Sequence, residues 1–366
     1  MPDPSTHDDL VSVDITLGST NTGKASFSTV LILADKALGN TLNGARVAEY
    51  ANILEVEDAE TSGYISSTVA DMMTDMFNQT NKPEKIKVGK VDTAAAETYA
   101  TGLAAVIAAD DDFYGIVMDI RTDAPVLLVA AAVEAYASSG IYKLFGTQLN
   151  DADCLTSGFP AAFAAMDDYE RTAYWYHDAP GEFLAECVMA NRLSFDADAY
   201  SAPWNAPVQE VAALTTKLTQ TQKAYARTNA ANIALPFGTR TDTFVDPGHN
   251  CNNRPIYEIV TTDWFRARVQ ERIADLISEL GDRGEKLPVS IEGQALVMKE
   301  IDSVFATGVS AGHFAAGQTV VEAETITDAD RTAQRMRFTG RAQFAIGARQ
   351  VEFDFFFSTD PVFEAV

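Results

Sequence analysis

Short apolar runs alternate with longer amphipathic runs between residues 27 and 191, and this alternation limits the fold more than any other feature of the sequence. Val30 to Ala34 is apolar throughout, as expected for a buried strand. Gly63 to Phe77 instead repeats its apolar residues at helical spacing. Further strands are predicted at 85–91, 114–120, 141–146 and 172–177, and further helices at 93–108, 124–137, 161–165 and 182–191. Such alternation is typical of an α/β (α+β) fold, with mixed sheets packed against helices.

The last third of the chain changes to two helices followed by strands. Asp263 is the predicted N-cap of the first helix, whose apolar residues recur at helical spacing from Phe265 to Leu280 before Gly281 ends it. A second helix is predicted from Ile291 to Phe305, with Gly308 as its end. The remaining predictions are a loop at 194–208, a polar helix at 215–232 and strands at 256–260, 319–326, 337–346 and 351–357.

Each end of the chain carries a strand pattern that glycine-containing sequence separates from the body. Apolar side chains alternate with mostly polar ones in both segments, and the apolar residues are Val11, Val13, Ile15 and Leu17 near the start and Val351, Phe353, Phe355 and Phe357 near the end. A lone strand leaves backbone groups and apolar side chains without partners. Such a strand pairs within its own chain or adds to the sheet of a neighbouring subunit, and the pattern allows both.

A chain of 366 residues corresponds to about two or three domains of roughly 150 residues. The domains assigned are an N-terminal arm at 1–24, an α/β region at 25–236, a C-terminal domain at 237–347 and a C-terminal arm at 348–366.

The charge balance excludes several classes of partner. The chain has 27 Lys and Arg against 52 Asp and Glu, a formal net charge of −25. A field of this sign repels nucleic-acid phosphates and anionic membrane surfaces. The longest apolar run, Ala124 to Val133, is too short to span a bilayer, and Met1 to Leu10 lacks the basic start of a secretory signal. We therefore expect neither nucleic acid nor membrane as a partner, and folding in the cytoplasm.

Two short motifs come close to catalytic signatures. Gly18 to Lys24 nearly spells a phosphate-binding loop, but Ala25 stands where a Ser or Thr should hold magnesium, and a predicted strand follows where a helix should begin. Gly308 to Gly312 matches the G-x-S-x-G nucleophile elbow around Ser310, but it follows a helix, and His313 is too near in sequence to serve as the base. We interpret the first motif as a flexible link and the second as the end of a helix.

Metal and cofactor chemistry is not predicted. The four histidines and three cysteines show no ligand spacing; they are His7, His177, His249, His313, Cys154, Cys187 and Cys251. Asp110 to Asp112 is interpreted as a run of solvated loop charges. Arg266, Arg268 and Arg272 stand out in so acidic a chain, and they face either a negatively charged partner or Glu271 and Asp275 on their own helix.

The C-terminal third resembles the sheath proteins of contractile phage tails and of R-type pyocins. The resemblance lies in the helix Thr262 to Ile273, the second helix after it, the acidic-to-β passage from Ile326 to Ala348 and the terminal strand. The opening strand at 11–17 and the run Ala25 to Leu33 also look like the start of a sheath protein. The middle of the chain is similar to the family only in being α/β.

This resemblance implies a structural, non-catalytic subunit without cofactors. Sheath subunits stack as hexameric rings around a tail tube, contract to drive genome delivery, and stay linked because their arms add strands to the sheets of neighbours. The C-terminal part faces the tube, and the α/β region at 25–236 includes an outer, surface-exposed domain. Implied partners are further copies of the chain, the tail tube protein, and baseplate and tail terminator proteins, in a virion tail assembled in the host cytoplasm. Arg266, Arg268 and Arg272 become candidate tube-facing residues.

Two alternatives remain open from the sequence. One is an α/β nucleotide-binding hydrolase that uses Gly18 to Lys24. The other is a different virion tail component, such as a tube or baseplate subunit.

Overall fold

A computed structural model describes residues 26–158, 161–236 and 243–346 of the chain. Within these ranges the strands are β1 (Val30–Asp35), β2 (Val47–Tyr50), β3 (Ile86–Val91), β4 (Gly115–Met118), β5 (Leu144–Leu149), β6 (Thr172–Tyr176), β7 (Pro207–Val208), β8 (Asn232–Pro236), β9 (Thr243–Asp246), β10 (Phe314–Ala323) and β11 (Phe338–Phe344). The α-helices are α1 (Ile53–Thr61), α2 (Ser67–Phe77), α3 (Tyr99–Ala109), α4 (Asp123–Ala137), α5 (Leu184–Leu193), α6 (Gln220–Thr228), α7 (Ile256–Asp282), α8 (Ile291–Ala311) and α9 (Asp328–Thr332). The mixed α/β fold class predicted from the sequence is confirmed.

The first nine strands form one sheet in the order β2-β3-β1-β4-β5-β6-β8-β9-β7. Strands β3, β1, β4, β5, β6 and β8 run parallel to one another. Antiparallel β2 closes one edge, and at the other edge β9 pairs antiparallel with β8 and β7 pairs antiparallel with β9. Parallel strands need crossover connections, and α2 to α5 lie in those connections.

Strand β1 shows why this sheet needs cover on both faces. Its six residues are all buried. Val30, Ile32 and Ala34 belong to the core that contains α2 and α5, whereas Leu31 and Leu33 belong to the opposite core that contains α3 and α4. A strand covered on both faces has a continuous apolar sequence, and this is the pattern from which β1 was predicted.

The C-terminal region adds two long helices and a small second sheet. Helix α7 has 27 residues and is therefore about 40 Å long. Strands β10 and β11 pair antiparallel beside α8. Apolar side chains of α7 and α8 join the core of α2 and α5, so both regions share one continuous interior. Among the helices of the described residues, none combines the length and apolar character of a bilayer-crossing segment.

Two sequence predictions about α7 are wrong. The strand predicted at 256–260 is the beginning of α7, where Ile256 is fully buried and Ile259 nearly so. Asp263, the predicted N-cap, lies inside the helix and is 2% exposed. The β-branched residues suggested a strand, but burial against the core overrides that weak local preference.

Helix α8 does not end at Gly308, as predicted, but continues to Ala311, and Gly312 at φ +81° ends it. Gly308 has a packing role instead, because a Cβ atom there would come within 2.7 Å of the Phe314 ring.

Other predicted boundaries shift by a few residues. The helix predicted from residue 63 begins at Ser67, where the Ser66 hydroxyl accepts a hydrogen bond from the Val69 amide. The strand predicted at 141–146 is β5, and the polar helix predicted at 215–232 is confined to α6. Strands β2, β8 and β9 and helix α1 were not predicted. The boundary assigned after residue 236 falls between β8 and β9, which pair with each other in the large sheet.

Candidate assembly surface of the C-terminal region

Helices α7 and α8 pack through apolar stripes whose spacing the sequence predicts. The buried residues of the α7 stripe include Phe265, Val269, Ile273, Leu276 and Leu280, and those of α8 include Val297, Ile301, Val304 and Phe305. The stripes leave the opposite helix faces to charged and small residues. The packed pair of α7 and α8, called the platform below, supports the small sheet.

Four phenylalanines attach that sheet to the platform. The rings of Phe265 and Phe305 stack with centroids 4.5 Å apart, and Phe314 of β10 meets Phe305 edge-on at 5.4 Å. Phe344 of β11 lies 6.3 Å from Phe314. Aromatic pairs in these arrangements contribute about 0.5–1.5 kcal/mol each beyond the burial of their surface. The aromatic stack anchors the sheet where β10 begins and β11 ends, and Phe338 at the other end of the sheet packs against the same core.

His313 precedes this anchor and has a structural setting. Its ring stacks on Trp264 with centroids 4.5 Å apart. Its Nε2 lies 2.7 Å from the Ala197 carbonyl oxygen, which can only accept, so Nε2 carries the proton and Nδ1 accepts from the Thr261 hydroxyl at 2.7 Å. Burial lowers the pKa of His313, in keeping with this neutral form. Ser310 lies in the last turn of α8, so the G-x-S-x-G motif has no strand-to-helix elbow.

Strands β10 and β11 form a sheet with two open edges. Their register runs from Phe314 opposite Phe344 to Ala323 opposite Phe338, and no third strand joins them among the described residues. Most side chains of both strands are at least partly exposed. Open edges present unpaired N–H and C=O groups, and two strands alone are marginally stable in water. This sheet can therefore accept another strand at either edge.

Arginines surround β11. Arg335 and Arg337 both approach the carboxylate of Asp330, at 2.9 and 3.1 Å. The Thr327 hydroxyl, with the two arginines, holds the pKa of Asp330 well below its usual range. Arg341 lies on β11 itself, is exposed, and forms no ion pair with another described residue.

A buried ion pair joins α7 to the large sheet, and the sequence reasoning missed it. Both guanidinium nitrogens of Arg171 donate to the Asp263 carboxylate, at 2.7 and 2.8 Å. The two side chains are 8% and 1% exposed. The Tyr114 hydroxyl also donates to Asp263, at 2.8 Å. A basic residue directly before an apolar strand is the signal that could have drawn attention to Arg171.

The three candidate tube-facing arginines have different surroundings. Arg266 lies 4.7 Å above the Tyr142 ring, with Asp263 3.6 Å away. Arg268 pairs with Asp198 and with Glu271, each at 2.7 Å, and the pairing with Glu271 is the intrahelical alternative considered above. Arg272 is exposed, and no ion pair links it to another part of the described chain.

Two carboxylates of the run Asp110 to Asp112, which was interpreted as solvated loop charge, pair with lysines, and the Asp112 side chain is still 53% exposed. Asp110 accepts from the buried ammonium group of Lys87 at 2.7 Å, and Asp112 lies 3.1 Å from Lys85. The Lys143 ammonium donates to the Asp111 carbonyl at 2.6 Å and to the Phe113 carbonyl. Burial lowers the pKa of Lys143 to about 8. These contacts fasten the amino ends of β3, β4 and β5 together.

Several sequence predictions fall outside the described residues. These are the strands at 11–17 and 351–357 and the motif Gly18 to Lys24. Within the described ranges, no group of three or more His, Cys, Asp or Glu side chains could hold a metal ion. Cys154, Cys187 and Cys251 are buried free thiols.

Comparison with known proteins places this geometry in context. Residues 256–344 match the family model for the C-terminal domain of E217 tail sheath protein gp31-like proteins. This range contains α7, α8 and the β10–β11 sheet. No curated protein sequence matches the chain.

Solved structures match nearly the whole chain. A chain of the anti-feeding prophage baseplate, from a six-fold symmetrised cryo-EM structure, has a TM-score of 0.68 at 13% identity and covers 95% of this chain and 99% of its own length. The anti-feeding prophage helical sheath in the contracted state gives 0.64 at 14% identity, with the same coverage. The sheath of an extracellular contractile injection system, the PVC sheath complex in the contracted state, gives 0.66 at 14% identity, with 95% of each chain covered.

The resemblance inferred from the sequence is thereby confirmed for the fold. The described residues share the fold of contractile sheath chains, and residues 256–344 are similar to the C-terminal domain of a tail sheath protein family.

Proposed function

We propose that the chain is the structural subunit of a contractile tail sheath. In this proposal, subunits stack as hexameric rings around a tail tube, the rings contract, and the contraction drives genome delivery. The observation that carries the proposal is the match to two sheaths in the contracted state across 95% of the chain. The six-fold symmetrised baseplate neighbour supports six subunits per ring. The same proposal includes a baseplate contact, a tail terminator contact, and assembly in the host cytoplasm before incorporation into the virion tail.

The arms at 1–24 and 348–366 are proposed to link neighbouring subunits. Their strands, at 11–17 and 351–357, would add to the open edges of the β10–β11 sheet of adjoining copies. A strand of about seven residues adds several backbone hydrogen bonds, each worth about 0.5–1.5 kcal/mol net. Burial of each phenylalanine at 353, 355 and 357 adds about 1.5–3 kcal/mol. Such links are strong enough to persist while contacts between subunit bodies rearrange.

Deletion of residues 351–366 tests the linkage. We expect a chain that folds, gives the far-ultraviolet circular dichroism of the intact protein, and forms no tubes in negative-stain electron micrographs. A matched control replaces Arg283 and Glu285, an exposed pair on the surface after α7, with alanine, and this variant should still form tubes. Long striated tubes from the truncated chain would refute the linkage.

Arg272 is the proposed contact to the tail tube. It is the exposed residue of the three candidates, whereas Arg266 and Arg268 are 19% and 12% exposed in their side chains and lie against groups of their own chain. Arg272→Glu should permit sheath assembly but weaken cosedimentation with purified tube. Unchanged cosedimentation of this variant would assign the tube contact elsewhere.

A further inference from the structure

We propose that the cleft between α5, α7 and the loop at 195–204 binds a carboxylate group, with Arg192 as the counter-charge. The inference goes beyond the proposed function, because it concerns a site within one chain and does not depend on sheath assembly. It follows from the shape of the cleft, from the burial of Arg192 without an ion pair, and from the contacts that fix the loop.

The cleft is small and has an open mouth. Aromatic side chains form much of its wall, and they are Phe27, Phe195, Tyr200, Trp204 and Tyr257. About 340 Å³ of space is free of protein atoms when the open mouth is counted. The interior behind the mouth has room for about one water-sized group. This shape suits a small polar group on a narrow apolar stem.

Arg192, near the end of α5, lines this cleft and is only 8% exposed. Its guanidinium group donates to the Pro203 carbonyl oxygen at 3.3 Å and to the side-chain oxygen of Asn191, and both acceptors are uncharged. No ion pair links Arg192 to another residue of the described chain. Burial lowers the pKa of Arg192 to about 10. The side chain is therefore a buried cation whose charge the described residues leave uncompensated.

The acidic residues that follow Arg192 in the loop bind other groups. Asp196 accepts from the backbone amide of Asp198 at 3.0 Å. Asp198 accepts from the Trp264 indole nitrogen at 2.8 Å and from Arg268 at 2.7 Å. Burial of an unpaired cation is costly, and an ionisable group perturbed in this way in a cleft is a candidate binding group. A planar carboxylate would supply the missing charge, because a guanidinium group offers it two parallel N–H donors.

The loop at 195–204 is fixed to the C-terminal region without a ligand. The backbone amide of Ser201 donates to the Ala311 carbonyl oxygen at 2.9 Å. The Ala197 carbonyl oxygen accepts from His313 Nε2 at 2.7 Å. Because both contacts hold the loop in place, the cleft is formed in advance, and a ligand loses little affinity to the ordering of the protein.

Titration of the full-length chain with sodium acetate in dilute solution tests the site, and tryptophan fluorescence is the readout because Trp204 lines the cleft. With sodium chloride added to keep the ionic strength constant, half-saturation is expected at about 1–10 mM acetate. Propionate should bind about fourfold more tightly, because its extra CH₂ group is buried against the aromatic wall. Acetamide, which has the shape of acetate without its charge, should not bind. No fluorescence change when acetate replaces chloride, or half-saturation only above about 100 mM, would overturn the proposal.

Two variants connect the binding to the cleft. Arg192→Met removes the charge and should abolish the response to acetate while the far-ultraviolet circular dichroism stays that of the wild type. Ala202→Leu fills the cleft, keeps Arg192 and should also abolish the response, so the test remains available if Arg192→Met does not fold. Arg283→Met is the matched control, because this side chain is 57% exposed and lies outside the cleft, and it should respond as the wild type does. A wild-type response in either folded cleft variant would refute the site.

The carboxylate can come from a free small molecule or from an acidic side chain of another copy of the chain, and assembly measurements distinguish these two sources. If another copy provides it, acetate should inhibit tube formation, and Arg192→Met should raise the protein concentration needed for tubes about tenfold. If a free molecule provides it, neither change should affect assembly. The acetate titrations in dilute solution decide whether the site exists even if the chain forms no tubes, so this inference and the proposed function fail separately.

Discussion

The buried ion pair between Arg171 and Asp263 should be among the most sensitive points of the fold. It joins residues 92 positions apart, with Arg171 at the amino end of β6 and Asp263 inside α7. Removing one partner of a buried pair leaves an uncompensated charge and costs about 3–5 kcal/mol. Asp263→Ala also leaves the Tyr114 hydroxyl without its acceptor, which adds about 1 kcal/mol. We therefore expect this variant to lose about 4–6 kcal/mol of the free energy of unfolding.

Urea unfolding followed by tryptophan fluorescence measures this loss, since Trp264 is adjacent to Asp263 and fully buried. The double variant Arg171→Met, Asp263→Leu removes both charges and should be within about 2 kcal/mol of the wild type, because an apolar pair of similar volume replaces the ion pair. Tyr114→Phe keeps the ion pair and should cost about 1 kcal/mol. Arg283→Ala, in an exposed pair, should change the free energy by no more than about 0.5 kcal/mol.

The reasoning depends on the coupling between the two charges. If the effects of Arg171→Ala and Asp263→Ala add in the double alanine variant to within about 0.5 kcal/mol, the residues do not interact energetically and the joint between α7 and the sheet is refuted. A coupling of about 2 kcal/mol or more would support rigid attachment of the C-terminal region to the α/β body. Such attachment would let subunits move as rigid bodies in the proposed contraction.

Gly308→Leu should destabilise the chain by about 1–3 kcal/mol in thermal unfolding, because its side chain would displace the Phe314 and Trp264 rings; an unchanged melting temperature would contradict the packing role of this glycine. Burial raises the pKa of Asp119 to about 6. The folded state therefore binds this proton more tightly than the unfolded state does, so the contribution of Asp119 to stability is present below about pH 4 and is lost as pH rises through 6. In urea titrations from pH 4 to 7, the free energy of unfolding of the wild type should fall as pH rises by about 2 kcal/mol more than that of Asp119→Asn. The same pH dependence in both proteins would refute this assignment.

Local pattern was sufficient to predict much of the body. The strands around Val30 and Thr172 have runs of mostly apolar residues because both faces of a parallel sheet are covered. The stripe from Phe265 to Leu280 was likewise visible as a helix, since its residues recur at helical spacing. These signals lie in neighbouring residues and need no knowledge of distant contacts.

Predictions of helix ends and strands failed at residues whose conformation depends on contacts with other elements of the fold. Asp263 was predicted to cap a helix, but it lies within α7, where its carboxylate accepts hydrogen bonds from Arg171 and Tyr114. Gly308 looked like a helix end, although its lack of a side chain accommodates Phe314. The residues from Ile256 to Val260 looked like a strand, yet they begin α7 against the core. For Asp263 the decisive partner, Arg171, lies 92 residues away, whereas for Gly308 it lies close in sequence but in the following strand, β10.

The amino-acid order by itself determined the α/β class, the apolar stripe of α7 and the alternating patterns at the two ends, because each depends on a short repeat of side chains along the chain. Only the tertiary structure decided that α7 is fastened to the sheet through Asp263, and that β10 and β11 stand as a pair with open edges. The physical reason is that burial, charge pairing and strand partnership are properties of groups brought together across many residues. The spacing of residues along the sequence does not specify these tertiary contacts.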